Sequence, residues 1–370
     1  MIPSDSSPRH SYGRRKFLQR SGLAASGAIF APNLLTAQKS GSGAVVIGEG
    51  EHRYEVVHNW PKLPDRYTWQ TTHNVAVDRD ANLYVIHEGV RGEDHPSIFV
   101  FDAQGNFVRA FGSQFQGGGH GLEVRSEGGE QFLYVTGYQH LKNFAKLTLE
   151  GEQVWEQHAP MESGRYKEGE DTHPEKVWGR DRFMPTNFAF HPSDGGYYLA
   201  DGYGAHCIHR YDKDNRWLAS FGGHGKEDGK FNLPHGLWID ARGGAASLVV
   251  ADRANARLQW FDLEGEHLRT LGGFILPANV DVLGDLMLVP DLSARISLLD
   301  SENKVIAQLG EDEGWRKEVL KGNKKMRTQP VRWEAGKFVH PHDACFDAGG
   351  NIFVAEWVAT GRVTKLKKLA

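Results

Sequence analysis

One unit recurs six times along this chain, and a repeat of that length bounds the fold more tightly than any single motif. Each copy opens on a step of the form apolar-Pro-His, where Thr or Ala sometimes replaces His, followed by Gly, Asn or Asp. Alternating apolar residues come next, then a turn, a second strand ending at Ala-Asp or similar, a third ending at Asp-x-x-Gly, and a fourth ending at Phe-Gly or Leu-Gly. The fourth copy is the fullest, KFNLPHGLWID at 230–240 and SLVVADRANARLQWFDLEGEHLRTLGG at 247–273; the others fall at 72–112, 118–155, 184–223, 276–310 and 340–369. Four short strands of period two make one propeller blade, so the spacing predicts an all-β, six-bladed β-propeller over 41–370. The 44 glycines and 10 tryptophans suit short strands joined by tight turns.

The sixth copy stops after three strands, which would leave an open sheet edge. RYEVVHNW at 53–60 has strand composition and is expected to pair with 362–369 and close the ring. Two segments fit no copy, 159–182 and the charged stretch 311–336; both read as surface loops between blades.

Residues 1–40 stand apart as a twin-arginine export signal and linker. Arg14 and Arg15 precede SGLAASGAIFAPNLL at 21–35, a run too short, too rich in small residues and too broken by Pro32 to be a stable membrane anchor. Cleavage after Ala37 would release a periplasmic or secreted protein. The formal net charge of −4 gives no reason to expect a nucleic-acid partner. Cys207 and Cys345 are the only cysteines, which excludes a disulfide framework and a cysteine-built zinc site. A single disulfide stays open in an oxidising compartment; two unpaired cysteines in separate strands is the plainer reading.

With the copies aligned, the centre of the opening step holds His73, His120, Thr186, His235, Ala278 and His342. First strands line the channel of a propeller, so these positions share one height around its axis. His120, His235 and His342 come from alternate blades, roughly 120° apart in a six-fold ring. Three converging imidazoles with an open position are the ligand set of a catalytic zinc. His73 is either a residue behind the ligands or a polar channel residue. The ends of the second strands give a further register, with Glu88, Tyr138, Tyr203, Arg253, Leu292 and Trp357 at the channel mouth. Beside a metal, Tyr203 suits proton transfer and Arg253 suits carboxylate binding.

The segments FNLPHGLWID, VVADRANARLQWF, LADGYGAH, GGHGLEV and VHPHDACFD, with their order and blade placement, resemble the peptidylamidoglycolate lyase family of NHL-repeat propellers. The resemblance covers about 45–370. It implies zinc on His120, His235 and His342, Tyr203 as the catalytic tyrosine and Arg253 as the catalytic arginine. It also implies a structural calcium on Asp343 and the backbone carbonyls of Val75 and Leu122. Two positions depart from the family pattern: Glu88 stands where it has an arginine, with Arg91 displaced nearby, and Gly204 where it has a cysteine. The implied reaction is cleavage of the C–N bond of an α-hydroxyglycine-type substrate, a small molecule or peptide bearing a carboxylate, to an amide and glyoxylate. Another metal-dependent lyase or hydrolase on the same scaffold, or a non-catalytic exported binding protein, are the alternatives.

Overall fold

Alternation of apolar side chains in each copy buries both faces of every inner strand, and the blades pack face against face. The computed structural model describes residues 44–173 and 175–369. It contains five four-stranded antiparallel sheets and one five-stranded sheet, which are the six blades. The ring closes as the repeat predicts. Tyr54–Val57 pairs antiparallel with Arg362–Lys368, Tyr54 facing Lys368 and Val57 facing Lys365, and so completes the sixth blade. A short outer strand, Val46–Ile47, adds a fifth member to that sheet. The twin-arginine segment lies outside the described residues.

The turn chemistry repeats with the sheets. Between third and fourth strands Asp102, Asp212, Asp262 and Asp300 each accept the backbone N–H groups two and four residues on, at 2.8–3.0 Å. These aspartates hold the hairpins by a local side-chain turn. The buried acids that end second strands do another job. Asp201 accepts from Met184 N–H, Asp252 from Asn232, Asp291 from Ile275 and Leu276, and Glu356 from Val339. Each ties down the loop that enters its own blade's first strand, the loop that carries the channel-facing step.

Cys207 and Cys345 lie in strands of different blades and are free thiols. Neither inter-blade insertion is a plain surface loop. In 311–336, Asp312 caps a helical segment, Glu313–Lys324, which is kinked at Lys321, Gly322 and Asn323, by accepting from Trp315 N–H at 2.9 Å. Trp315, Val319 and Met326 are buried in the core between blades five and six. Their helical spacing is masked in the sequence by the surrounding charge. In 159–182, Glu170 is fully buried and accepts from Lys142 Nζ, from Arg182 Nη1 at 3.0 Å and from Phe183 N–H at 2.9 Å, which pins the segment to blades two and three.

Candidate metal centre and catalytic cavity

The imidazoles predicted to share one height do so. Ring centroids are 4.9 Å apart for His120 and His235, 4.6 Å for His235 and His342, and 5.1 Å for His120 and His342. All three rings are buried. Each Nδ1 is held by a backbone carbonyl of the next blade: His120 by Thr186 at 2.9 Å, His235 by Ala278 at 2.6 Å and His342 by His73 at 2.8 Å. Those carbonyls belong to the central positions of blades three, five and one. With Nδ1 bonded to a carbonyl, the proton resides there and Nε2 keeps a free lone pair. Burial, the dominant cause, holds all three rings well below the usual histidine range, so they are neutral at pH 7.

The arrangement fits a metal. His120 Nε2 and His235 Nε2 lie 3.2 Å apart; two nitrogens each about 2.0–2.1 Å from one tetrahedral zinc would be about 3.3 Å apart. Three neutral imidazoles are the donors such an ion takes.

His73 belongs to the same cluster, against the reading that makes it only a polar channel residue. Its centroid lies 4.8 Å from His120 and 4.7 Å from His342. His73, His120 and His342 each offer a ligand atom within 4.8 Å of the others', so this trio can also hold a metal. The cluster is therefore two triangles sharing the edge His120–His342, with His235 on one side and His73 on the other. The two differ in bonding. His73 Nδ1 is buried without a partner, and its Nε2 faces Glu88 at 3.4 Å.

Tyr203 and Arg253 converge on the His235 side. The Tyr203 hydroxyl is 3.2 Å from His120 Nε2 and 3.1 Å from His235 Nε2, and it accepts from Arg253 Nη2 at 3.0 Å. The second register forms the walls of a cavity of about 260 Å³ above the imidazoles, Tyr138, Tyr203, Arg253, Leu292 and Trp357 among them. The backbone makes this ring regular: the N–H of Glu88, Tyr138, Tyr203, Arg253, Leu292 and Trp357 each donates to a carbonyl of the loop entering its own blade. In blades four and six that carbonyl is offered by Leu233 and His340, non-glycine residues with φ of 69° and 56°. Backbone held in this sparsely populated region is characteristic of functional sites.

Glu88 is not among the residues that line the cavity. Its carboxylate is taken by His73 and by Gln139 Nε2. Burial raises its pKa, but the bonds from His73 and Gln139 outweigh that and leave it below the ordinary value. The insertions supply what the blade register does not. Trp178 of 159–182 stands edge-on to Tyr203 and Tyr138, and Lys324 of 311–336 lines the cavity.

At the other end of the channel, Asp343 is fully buried and its carboxyl is pushed up to about 7, chiefly by burial. Glu123 and Asp281 line the same small cavity, and the amide oxygens of Asn74, Asn187 and Asn279 are buried without partners. Carboxylate and amide oxygens suit a hard cation such as calcium. Val75 is itself among the residues lining this cavity. Val75 meets Asp343 through its N–H, at 2.8 Å, and Leu122 packs in the core between blades one and two. Glu123, Asp281 and the asparagines were missed, although the asparagines follow the central position in blades one, three and five and so were visible as an alternation.

A further cluster, Asp201, Cys207 and His209, is saturated instead. Trp217 Nε1 donates to His209 Nδ1 at 3.2 Å, His209 Nε2 meets Tyr166 Oη at 2.5 Å, and Tyr166 donates to Asp201 at 2.8 Å.

No family model matches the chain. It is 30% identical to NHL repeat-containing protein 3 of Homo sapiens over 218 residues, 58% of this chain and 58% of that one. It is 25% identical to peptidyl-glycine alpha-amidating monooxygenase of Mus musculus over 248 residues, 57% of this chain and 22% of that one. The match thus spans little more than half the length of the first relative. Among solved structures, a streptogramin B lyase superposes with a TM-score of 0.52 at 10% identity, covering 86% of this chain and 99% of that one. Virginiamycin B lyase from Staphylococcus aureus gives 0.51 at 11% identity, covering 85% and 100%. At such identities the superpositions speak for the fold alone. Repeat, ring closure and relatives agree that this chain is an NHL-repeat β-propeller, related to NHL repeat-containing protein 3 and distantly to peptidyl-glycine alpha-amidating monooxygenase.

Proposed function

We propose that this protein is a zinc-dependent lyase that cleaves the C–N bond of an α-hydroxyglycine-type substrate, releasing an amide and glyoxylate. The observation that carries the reading is the Tyr203 hydroxyl, set within 3.2 Å of two imidazole nitrogens and 3.0 Å from a guanidinium. His120, His235 and His342 would hold the ion. Zinc on three imidazoles with an open position lowers the pKa of a hydroxyl or water bound there. Tyr203, beside the Arg253 guanidinium, is placed to accept the substrate hydroxyl proton as a phenolate, which that transfer would return to the neutral phenol. Among the described residues the Arg253 guanidinium bonds only the Tyr203 hydroxyl, so its remaining N–H groups would take the substrate carboxylate. Tyr138 and Trp178 give the cavity aromatic walls. A calcium at Asp343 would neutralise the buried carboxylates at the far end of the channel. Residues 1–40 would direct export to the periplasm or beyond.

The distant relationship to an amidating enzyme supports the lyase reading, and so does Glu88. Bound to His73 and Gln139, it is not among the residues that line the cavity. The test is glyoxylate release from α-hydroxyhippurate by zinc-loaded protein. Wild type is expected to release it. Tyr203→Phe should keep its zinc and lose about 10²–10⁴ in rate, the usual worth of a positioned general base. Glu88→Arg should be at least as active as wild type. If wild type and Glu88→Arg are both inert with zinc bound, the lyase reading fails, and another metal-dependent lyase or hydrolase, or a binding protein, takes its place.

A further inference from the structure

Three cations gather at the cavity against one nearby carboxylate, Glu88, whose charge favours Arg327. Arg253 lines the cavity from blade four and Lys324 from the insertion 311–336, with Arg327 of the same insertion beside it on Trp357. Arg253 spends its mapped hydrogen bond on the Tyr203 hydroxyl. Arg327 lies flat on the Trp357 ring, its guanidinium carbon 3.7 Å from the centroid, and its bonds go to Thr71 Oγ1 and the Trp357 carbonyl. Lys324 Nζ also stands over Trp357, 5.7 Å from the centroid, and lines the cavity. Among the described residues, none of the three makes a salt bridge, and Lys324 Nζ has no hydrogen-bond partner. Their charges are felt mutually, since Arg253 and Arg327 both disfavour the charged form of Lys324. The nearby carboxylate, Glu88, is already bound to His73 and Gln139.

Lys324 is held there at a cost. Gly322, Asn323 and Lys324 form a run of left-handed residues with φ of 60°, 56° and 62°. The region comes freely to Gly322 and is tolerated by Asn323, whereas Lys324 takes it at a cost. The run is braced on both sides, by the helix buried through Trp315 and Val319 and by buried Met326. A rigid support that turns an unpaired ammonium into a cavity already holding a guanidinium makes physical sense when an anion comes to lie among them.

We infer that the substrate carries an acidic group besides the carboxylate that Arg253 takes, and that Lys324, with Arg327 beside it on Trp357, binds this second group. The ligand class is a dicarboxylate, such as an α-hydroxyglycine unit on an acidic acyl chain. This rests on the cavity being the substrate site, as proposed above, but not on the reaction being a lyase reaction.

The test is a calorimetric titration of the zinc-loaded full chain with glutarate and with butyrate, which match in chain length and differ in one carboxylate. Wild type should bind glutarate about tenfold or more tightly than butyrate, as one added charge-assisted contact allows. Lys324→Met should erase most of that preference and leave butyrate unchanged, whereas Lys324→Arg should retain it. The wild-type preference should also shrink as salt is raised. Equal binding of the two acids by wild type overturns the inference, as does a Lys324→Met protein whose preference is intact. Glyoxylate plays no part in this titration. An inert protein that keeps the Lys324-dependent preference sinks the lyase reading alone, and an active one without the preference sinks this inference alone.

Discussion

Even and odd blades use the same position of one repeat for opposite purposes. Blades two, four and six place an imidazole there, and blades three, five and one answer with the backbone carbonyl that fixes it. Because the acceptor is backbone, the side chain at the odd position is free to be Thr, Ala or His. The residue that follows differs in step: Gly121 and Gly236 behind the first two imidazoles, Asn74, Asn187 and Asn279 in the odd blades. The period of this propeller at that height is therefore two blades, and a threefold imidazole cluster arises from a sixfold ring. His73 is the one imidazole on the odd side. No carbonyl orients it, and its anchor is a carboxylate.

The sharpest way to break this comparison is to remove one imidazole from each side. His235→Ala should abolish stoichiometric zinc while the propeller stays folded, and His73→Ala should retain it, as read by metal analysis of protein dialysed against trace zinc. The reverse pattern would place the ion in the other triangle, on His73, His120 and His342, and would make the backbone-fixed tautomers incidental.

A smaller effect is expected from the glycines. A Cβ on Gly236 would fall 2.0 Å from Asn279 Oδ1 and 2.3 Å from Asn279 Cα, and one on Gly121 would fall 2.3 Å from the Thr186 carbonyl. In both, the odd blade packs directly against the even one. Gly236→Ala should cost about 1–3 kcal/mol, as overpacking does. Gly243 has nothing within 4 Å of its Cβ position, and Gly243→Ala should stay within about 0.5 kcal/mol of wild type. Equal midpoints in urea for the two variants would show that blades four and five can part without penalty.

What could be read from the sequence followed from the repeat. A copy number, a missing last strand and a shared position are properties of pattern, and they led to the closure by Tyr54–Val57, to the imidazole cluster and to the place of Tyr203 and Arg253. What could not be read lay outside the pattern. Trp178, Lys324 and Arg327 sit in insertions with no copy to align against, and the lysine depends on a left-handed turn that local composition does not announce. The far end of the channel was half legible. Asp343 stood out, but Glu123 and Asp281 look like surface acids until the blades bring them together. The partner of Glu88 was not legible for a related reason, since Gln139 comes from the neighbouring blade.

The smallest effect probes the place where blade one departs from the others. Where blades three, four and five end the second strand on an aspartate that caps the incoming loop, blade one has His87. His87 is fully buried, stacked on Phe99 with centroids 4.9 Å apart, and neither ring nitrogen has a hydrogen-bond partner of normal geometry. Burial is the chief reason its pKa is lowered to about 3. The unfolded ring takes a proton below about pH 6.5, whereas the folded ring stays neutral until about pH 3. Stability from this residue is therefore present above about pH 6.5 and is lost as the pH falls through that window, by about 1.4 kcal/mol between pH 7.5 and 5.5. His87→Phe keeps an aromatic ring against Phe99 and cannot take up the proton. Its stability relative to wild type should improve by about 1.4 kcal/mol when denaturation in urea is repeated at pH 5.5 instead of 7.5. A difference that does not change with pH would mean that His87 titrates in the folded blade as it does in the unfolded chain, and that blade one, like blades three to six, can end this strand on a charged group.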